Sequence, residues 1–347
     1  MESKPVAKAS APAKCILFGE HAAVYGEPGI AAPLSTCRAR ALAHSFESGF
    51  MRMKSDLGES EGEVREYKEF GKYLAEKWEE CYKQGDFSEI FRHAKKCPER
   101  VWLSILSFYF DVPENFSAQF TVKSNIPLAS GLGSSAAVSA SVAKCFAKLL
   151  GSERKEKIFE ASLLCEKMFH GTPSGIDSAI ACYENTTFFV KNRGFEFLSP
   201  KSLGLFLIYT NKPKSTTGEL VQRVRNLEEG YRNPVVKEIG RIVRESKTAL
   251  ERGDIDTILE NARKNQELLS KLGVSSEEID SITGKINEKN GIAAKLTGAG
   301  GGGFVLGFYS EGREKDFEEI LKENGYEKIY QPDIFLRERV YWKEKIA

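Results

Sequence analysis

The chain has 347 residues, long enough for two hydrophobic cores. Hydrophobic residues make up 41% and charged residues 29%, the balance of a soluble globular protein. Fifty Lys and Arg against 49 Asp and Glu leave a formal charge of +1, which argues against a general nucleic-acid binder while leaving room for a local positive pocket.

Met1 to Ser10 carries lysines but no apolar stretch, so no signal peptide is expected. No run of about 18 apolar residues follows, so no membrane span is expected and the chain reads as cytoplasmic. Cys15–Phe18 reads as a short buried strand that delivers Gly19-Glu20-His21 to a loop, and residues 30–46 contain a second β-like stretch. Residues 56–63 are polar and read as a surface turn. Tyr67, Phe70, Leu74, Trp78 and Cys81 then recur at three- and four-residue spacing, predicting an amphipathic helix packed on the body, and residues 100–110 predict a more deeply buried one. Residues 116–123 alternate as a strand, and Ala136 to Leu150 reads as a small-residue helix. Residues 153–170 are helical, with Ile158, Leu163 and Leu164 inward. Leu203–Tyr209 is an apolar β run near the expected start of a second lobe. From 219 to 288 helix follows helix, with breaks near Gly230, Asn233-Pro234, Gly253-Asp254 and Gly273. Strands at 292–296 and 304–308, a helix at 314–324 and a last strand around 334–341 finish the chain. Seven cysteines, odd in number and without a Cys-x-x-Cys pair, read as reduced and mostly buried thiols. His93 with Cys81 and Cys97 fits no common zinc spacing.

The most informative run is Pro127-Leu128-Ala129-Ser130-Gly131-Leu132-Gly133-Ser134-Ser135-Ala136. It joins the alternating strand to the small-residue helix. A Gly-Ser-Ser turn that opens a helix presents unpaired N–H groups and the positive end of the helix dipole, a seat for polyphosphate. The alternative is an N-cap serine behind a flexible turn. Neither a GxxxxGK[ST] loop nor the protein-kinase motif set is present.

Two further segments sharpen this reading: Lys14-Cys15-Ile16-Leu17-Phe18-Gly19-Glu20-His21 and Lys295-Leu296-Thr297-Gly298-Ala299-Gly300-Gly301-Gly302-Gly303-Phe304. Together with the central loop they resemble the three signature motifs of the GHMP kinases. A fourth run, His170-Gly171-Thr172-Pro173-Ser174-Gly175-Ile176-Asp177, resembles the mevalonate kinase branch of that family, as does Ala22-Ala23-Val24-Tyr25-Gly26 after Glu20-His21. The resemblance spans nearly the whole chain.

It implies a two-lobed α+β fold. An N-terminal lobe like ribosomal protein S5 domain 2 (about 1–200, with a helical insertion at 63–110) would carry the ATP and magnesium site. A ferredoxin-like lobe (201–347) would follow, its last strand returning to the first lobe. The implied reaction transfers the γ-phosphoryl group of ATP to the primary alcohol of mevalonate. Residues 127 and 129–136 (Pro127, Ala129, Ser130, Gly131, Leu132, Gly133, Ser134, Ser135 and Ala136) would bind the nucleotide. Ser135 and Glu166 would hold Mg2+, Glu166 lying eleven residues before Asp177. Asp177 is the acid/base candidate and Lys14 its cationic partner. Glu20 and His21 resemble substrate-side residues, and Thr216 a residue brought to the acceptor, with a capping role at the following helix as the alternative. The third glycine run reads as support for the nucleotide site, with Gly298 and Ala299 toward the substrate. Other acceptors (phosphomevalonate, homoserine, a sugar), a non-catalytic ligand sensor of the same fold, and homodimer formation stay open.

Overall fold

A computed structural model describes residues 7–45, 50–127, 130–191, 193–201, 203–211, 213–330 and 337–342. The backbone divides into two compact units, and the chain passes between them repeatedly: one comprises residues 1–13, 37–127 and 133–184, the other 14–36, 128–132 and 185–347. Two long strands, β1 (Ala7–Phe18) and β2 (Pro28–Ser45), each contribute one end to either unit. A single 3-10 turn, Ala22–Tyr25, lies between them.

The first unit continues with β3 (Phe50–Lys54), β4 (Glu59–Glu63), α1 (Val64–Gln84), α2 (Ser88–Lys96), α3 (Pro98–Tyr109), β5 (Ala118–Ser124), α4 (Ser134–Leu149), α5 (Lys155–His170) and α6 (Ile176–Tyr183). Its sheet runs β4-β3-β5-β2. β3 lies parallel to β5, and Ala39–Ser45 of β2 pair antiparallel with β5. β4, sequence Glu-Ser-Glu-Gly-Glu, occupies the segment expected to be a surface turn. Its charges suit an edge strand, because carboxylates on an open edge discourage pairing with another chain. α1 forms as its spacing predicts, with Tyr67, Leu74, Trp78 and Cys81 buried, and stops at Gly85, whose φ of 75° no β-carbon-bearing residue adopts cheaply. Pro98 opens α3 in the first turn, where its missing N–H costs nothing.

α4 is built almost wholly of small residues, so α5 and α6 can both lie against it. Phe146, on its far side, stacks on Phe120 of β5 with ring centres 4.6 Å apart. In α5 the inward positions are Ile158, Ala161, Ser162, Cys165, Glu166 and Met168. Leu163 and Leu164, expected inward, are only half-buried. A carboxylate has taken the place on the helix face that periodicity gives to a leucine.

In the second unit Pro28–Ala31 of β2 pair with β6 (Thr187–Val190), which pairs with β7 (Gly194–Phe197). β8 (Gly204–Asn211) is followed by α7 (Thr217–Arg225), α8 (Glu229–Arg252), α9 (Ile255–Lys271), α10 (Glu277–Asn287), β9 (Ile292–Leu296), β10 (Gly303–Tyr309), α11 (Glu314–Glu323), β11 (Glu327–Tyr330) and β12 (Arg337–Trp342). The second sheet has the order β11-β12-β8-β10-β9. The last strand therefore joins β8, in parallel, and β11 within this sheet; it does not return to the first unit. The break expected near Gly230 falls just before it, at residues 226–228 between α7 and α8, whereas the one expected at Asn233-Pro234 does not occur. α8 runs through Pro234, anchored at its start by Arg232, whose N–H donates to the Glu228 carbonyl and whose guanidinium donates to the Arg225 carbonyl. β9 and β10 are buried along their whole length, with α9 and α10 packed on β9. Among the described residues, no helix is long and apolar enough to cross a membrane.

Candidate active site

The second unit draws its parts of the site together through side chains that link β9 and the glycine turn after it to the end of β1 and the segment that follows it. Thr297 and Ile16 are stitched both ways. The Ile16 N–H donates to Thr297 Oγ1 at 2.9 Å, and that hydroxyl donates to the Ile16 carbonyl at 3.0 Å. His21 Nε2 lies 2.8 Å from the Ala299 carbonyl. A carbonyl can only accept, so Nε2 carries the proton. Lys295, the last residue but one of β9, reaches Glu20 in a fully buried ion pair and also donates to the Leu296 carbonyl at 2.7 Å.

Burial drives the Glu20 carboxyl upward and the Lys295 ammonium downward, and each partner holds the other partly back. Glu20, expected to face the substrate, is thus enclosed: one carboxylate oxygen meets Lys295, and the other is buried without a partner in the structure. The pair ties the loop to β9. The loop is strained where it matters. His21 has φ 60° and ψ −40°, and the N–H of Ala22 closes a three-residue turn on the Glu20 carbonyl at 2.6 Å. Burial also lowers the His21 ring below the usual imidazole range, with the Ala299 carbonyl acting the other way, so the ring is held neutral.

The phosphate-loop residues of this unit join the same cluster. The Lys14 N–H donates to the Leu132 carbonyl at 2.9 Å, and the Ser130 hydroxyl accepts from the Leu132 N–H at 3.4 Å. A β-carbon on Gly298 would stand 3.9 Å from the Gly131 carbonyl, so the third glycine turn lies directly behind the first. Gly300 admits no side chain, since its β-carbon would fall 2.0 Å from the Val274 carbonyl. Lys14 itself is buried. Thr216 takes its capping alternative. Its hydroxyl accepts from the Glu219 N–H at 3.3 Å, and the Glu219 carboxylate accepts from the Thr216 N–H at 2.7 Å. Pro127 is half-buried, and Ala129 lies outside the described residues.

In the first unit, Gly133 (φ 73°) turns the chain into α4. No side chain caps this end, and the first-turn N–H groups of Ser134, Ser135 and Ala136 have no acceptor within the helix, which is what an anion site requires. Ser135 Oγ donates to Glu166 Oε2 at 3.0 Å and receives His170 Nε2 at 2.9 Å; Ser139, one turn on, donates to the other Glu166 oxygen at 3.3 Å. Glu166 is 2% exposed. Burial, reinforced by the negative charge of Asp177, pushes its carboxyl up to about 8, against the pull of the two serine hydroxyls. Asp177 is half-buried at the second position of α6, behind Gly175 with φ 83°. Among the described residues no group of three or more His, Cys, Asp or Glu side chains is placed to hold a metal ion. Magnesium needs few protein ligands when phosphate oxygens supply the rest. A serine hydroxyl beside a buried carboxylate, with a second carboxylate raising it, is a hard-oxygen donor set that fits such an ion.

Sequence reasoning overlooked Lys295 and Ser139 as contributors. Ser139 lies one helical turn beyond Ser135 on the same face, and Lys295 is the one charge inside an otherwise apolar run, so both carried a legible signal.

The GHMP kinases N terminal domain family model matches residues 99–185, and the GHMP kinases C terminal model matches residues 246–327. With the relatives below, these matches make the chain a member of the GHMP kinase family. Its similarity within the family is to mevalonate kinases. It is 31% identical over 315 residues to the mevalonate kinase of Pyrococcus furiosus, covering 85% of this chain and 86% of that protein. It is 29% identical over 328 residues to that of Methanocaldococcus jannaschii, covering 92% and 96%. The crystal structure of the Methanococcus jannaschii mevalonate kinase superposes with a TM-score of 0.76 at 24% identity, over 93% of this chain and 96% of that one, and shares the fold.

Two outcomes follow from the buried charges. Lys295→Met alone strands the Glu20 carboxylate and lowers unfolding free energy by about 3–5 kcal/mol, whereas Lys295→Met with Glu20→Leu returns to within about 2 kcal/mol of the parent. Denaturant titration measures both, and a double variant as damaged as the single one contradicts the pairing. Glu166 binds its proton more tightly folded than unfolded, so the ligand-free chain loses stability as pH climbs from the ordinary carboxyl range toward about 8. Glu166→Gln carries no charge and lacks that decline. Thermal midpoints of the two proteins therefore diverge between about pH 5 and pH 8, and parallel curves refute the raised carboxyl.

Proposed function

We propose that the protein transfers the γ-phosphoryl group of ATP to the primary alcohol of mevalonate, giving 5-phosphomevalonate in the cytoplasm. The observation that carries this reading is the Ser135–Glu166 contact on α4 and α5, with Asp177 close enough on α6 to raise Glu166. Family membership and the mevalonate kinase relatives support the choice of reaction and acceptor.

The N–H groups from Ser134 to Ala136 and the turn from Ser130 to Gly133 bind the triphosphate. Ser135 and Glu166 would hold Mg2+, which when bound neutralises charge on the triphosphate oxygens. Asp177 receives the proton of the acceptor hydroxyl as its oxygen bonds to the γ-phosphorus. The bond from that phosphorus to the bridging β,γ-oxygen breaks, and ADP leaves. Lys14 offsets charge on the transferred phosphoryl group. Neutral His21, its Nε2 proton given to the Ala299 carbonyl, accepts a hydrogen bond at the acceptor through Nδ1 without adding a cation. Gly298 and Ala299 border the acceptor through backbone alone. Glu20 and Thr216 are not among the contacting residues, being committed to Lys295 and to the cap of α7.

A coupled assay of ADP release tests this directly. Release is expected with mevalonate and not with galactose, homoserine or phosphomevalonate. Asp177→Asn should retain nucleotide affinity and lose roughly two to four decades of turnover, the scale of a missing general base. Near-normal turnover in that variant, or ADP release with none of the four acceptors, overturns the assignment.

A further inference from the structure

The helices α1 and α2 lie outside both stretches matched by the family, yet α1 touches the turn that presents Asp177. Trp78, buried on the inner face of α1, donates its indole N–H to the Gly171 carbonyl at 2.6 Å. The ring is held in place on several sides. Tyr82 stacks on it at 5.1 Å, Phe87 lies at 6.3 Å, and the Lys167 ammonium sits 3.8 Å above the ring centre.

Gly171 is a demanding place in the chain. It ends α5 with φ 67° and ψ −74°, its own N–H donates to the Lys167 carbonyl, and the Thr172 N–H closes a tight turn on the His170 carbonyl at 2.7 Å. A β-carbon there would meet the Phe87 ring at 2.9 Å. The turn is thus pinned by a hydrogen bond through its carbonyl and by an aromatic wall against its α-carbon. Asp177 follows six residues later, across a segment whose two glycines, Gly171 and Gly175, both have positive φ. The same end of α5 carries Glu166 and His170. A second indole braces it from α3: Trp102 packs on Phe169 at 5.0 Å and donates to Ser139, which donates to Glu166.

We propose that Trp78 is a positioning residue for phosphoryl transfer: its N–H holds the Gly171 carbonyl and so sets the turn that aims Asp177. The inference rests on the role given to Asp177 above. If the ring only filled space, its nitrogen would be dispensable. If the bond sets the turn, losing it frees the Gly171 carbonyl to swing, and displacements of about 1 Å at reacting groups cost up to about 100-fold in rate.

The test uses the full chain with Trp78→Phe, which keeps an aromatic ring and removes the donor, and Tyr82→Leu, which removes the stacked ring and keeps the donor. Trp78→Phe should lower kcat about tenfold or more while KM for ATP and for mevalonate stay within about threefold, the signature of misaligned chemistry with intact binding. Amide hydrogen exchange across residues 171–176 should quicken in the same variant. Tyr82→Leu should keep kcat within about twofold. An unchanged kcat in Trp78→Phe, unchanged exchange in the turn, or a loss matched by equal rises in both KM values overturns the proposal. If the parent protein does not turn over mevalonate, that failure belongs to the proposed reaction, and the exchange comparison still decides whether Trp78 holds the turn.

Discussion

The arrangement of the second unit depends on a single buried ion pair, Lys295 with Glu20. Two charges placed wholly out of water are costly to enclose, and their attraction recovers the cost only with good geometry. Here the ammonium also donates to the Leu296 carbonyl, and Lys14 adds a weaker field on Glu20. The pair ties a sheet strand to a loop 275 positions away in sequence. That tie makes the neighbouring bonds possible: with Glu20 fixed, His21 can be held at positive φ against the Ala299 carbonyl. The strain at His21 persists because the residues on either side are over-determined.

The first unit contains a second buried carboxylate with a different partner set, and the difference bears on chemistry. Glu20 is answered by an ammonium, so its charge is already balanced. Glu166 is answered by the hydroxyls of Ser135 and Ser139 and lies in the field of another carboxylate. Burial pushes the carboxyl up, the charge of Asp177 adds to that, and the hydroxyl donors offset the push only in part. A site of this kind is costly to keep charged when empty and gains most from a cation. The energetic imbalance separates a carboxylate that binds something from one that holds the fold together.

That separation was the part not legible in the sequence. The helix of α1, the capping box at Thr216, the strand pair β9 and β10, and the entry of Asp177 at a helix start could all be read, because each follows from local periodicity or turn chemistry. Whether Glu20 faced a ligand or a lysine could not be read, because its partner lies 275 positions downstream and nothing in the Gly-Glu-His string encodes it. Two other misreadings have local causes. β4 is polar enough to pass for a turn, since an edge strand needs no apolar face. Pro234 marks a break by propensity, yet α8 passes through it because tertiary contacts outweigh a single lost backbone bond.

The inserted helices illustrate the same limit from the other side. Read alone, the aromatic spacing of α1 says only that one face is buried, and most of that face is packing: Leu74 and Cys81 fill space as periodicity requires, and Tyr67 does so with its hydroxyl paired locally to Ser60 at 2.8 Å. Trp78 differs because its ring carries a donor, and a buried indole N–H needs an acceptor. The acceptor it finds is a carbonyl at the end of α5, a helix terminus whose last carbonyls have no partner within the helix. Two unmet requirements thus meet in one bond. Because the terminus involved is the one that leads to Asp177, a feature that began as core packing also constrains the geometry of the turn in front of that carboxylate.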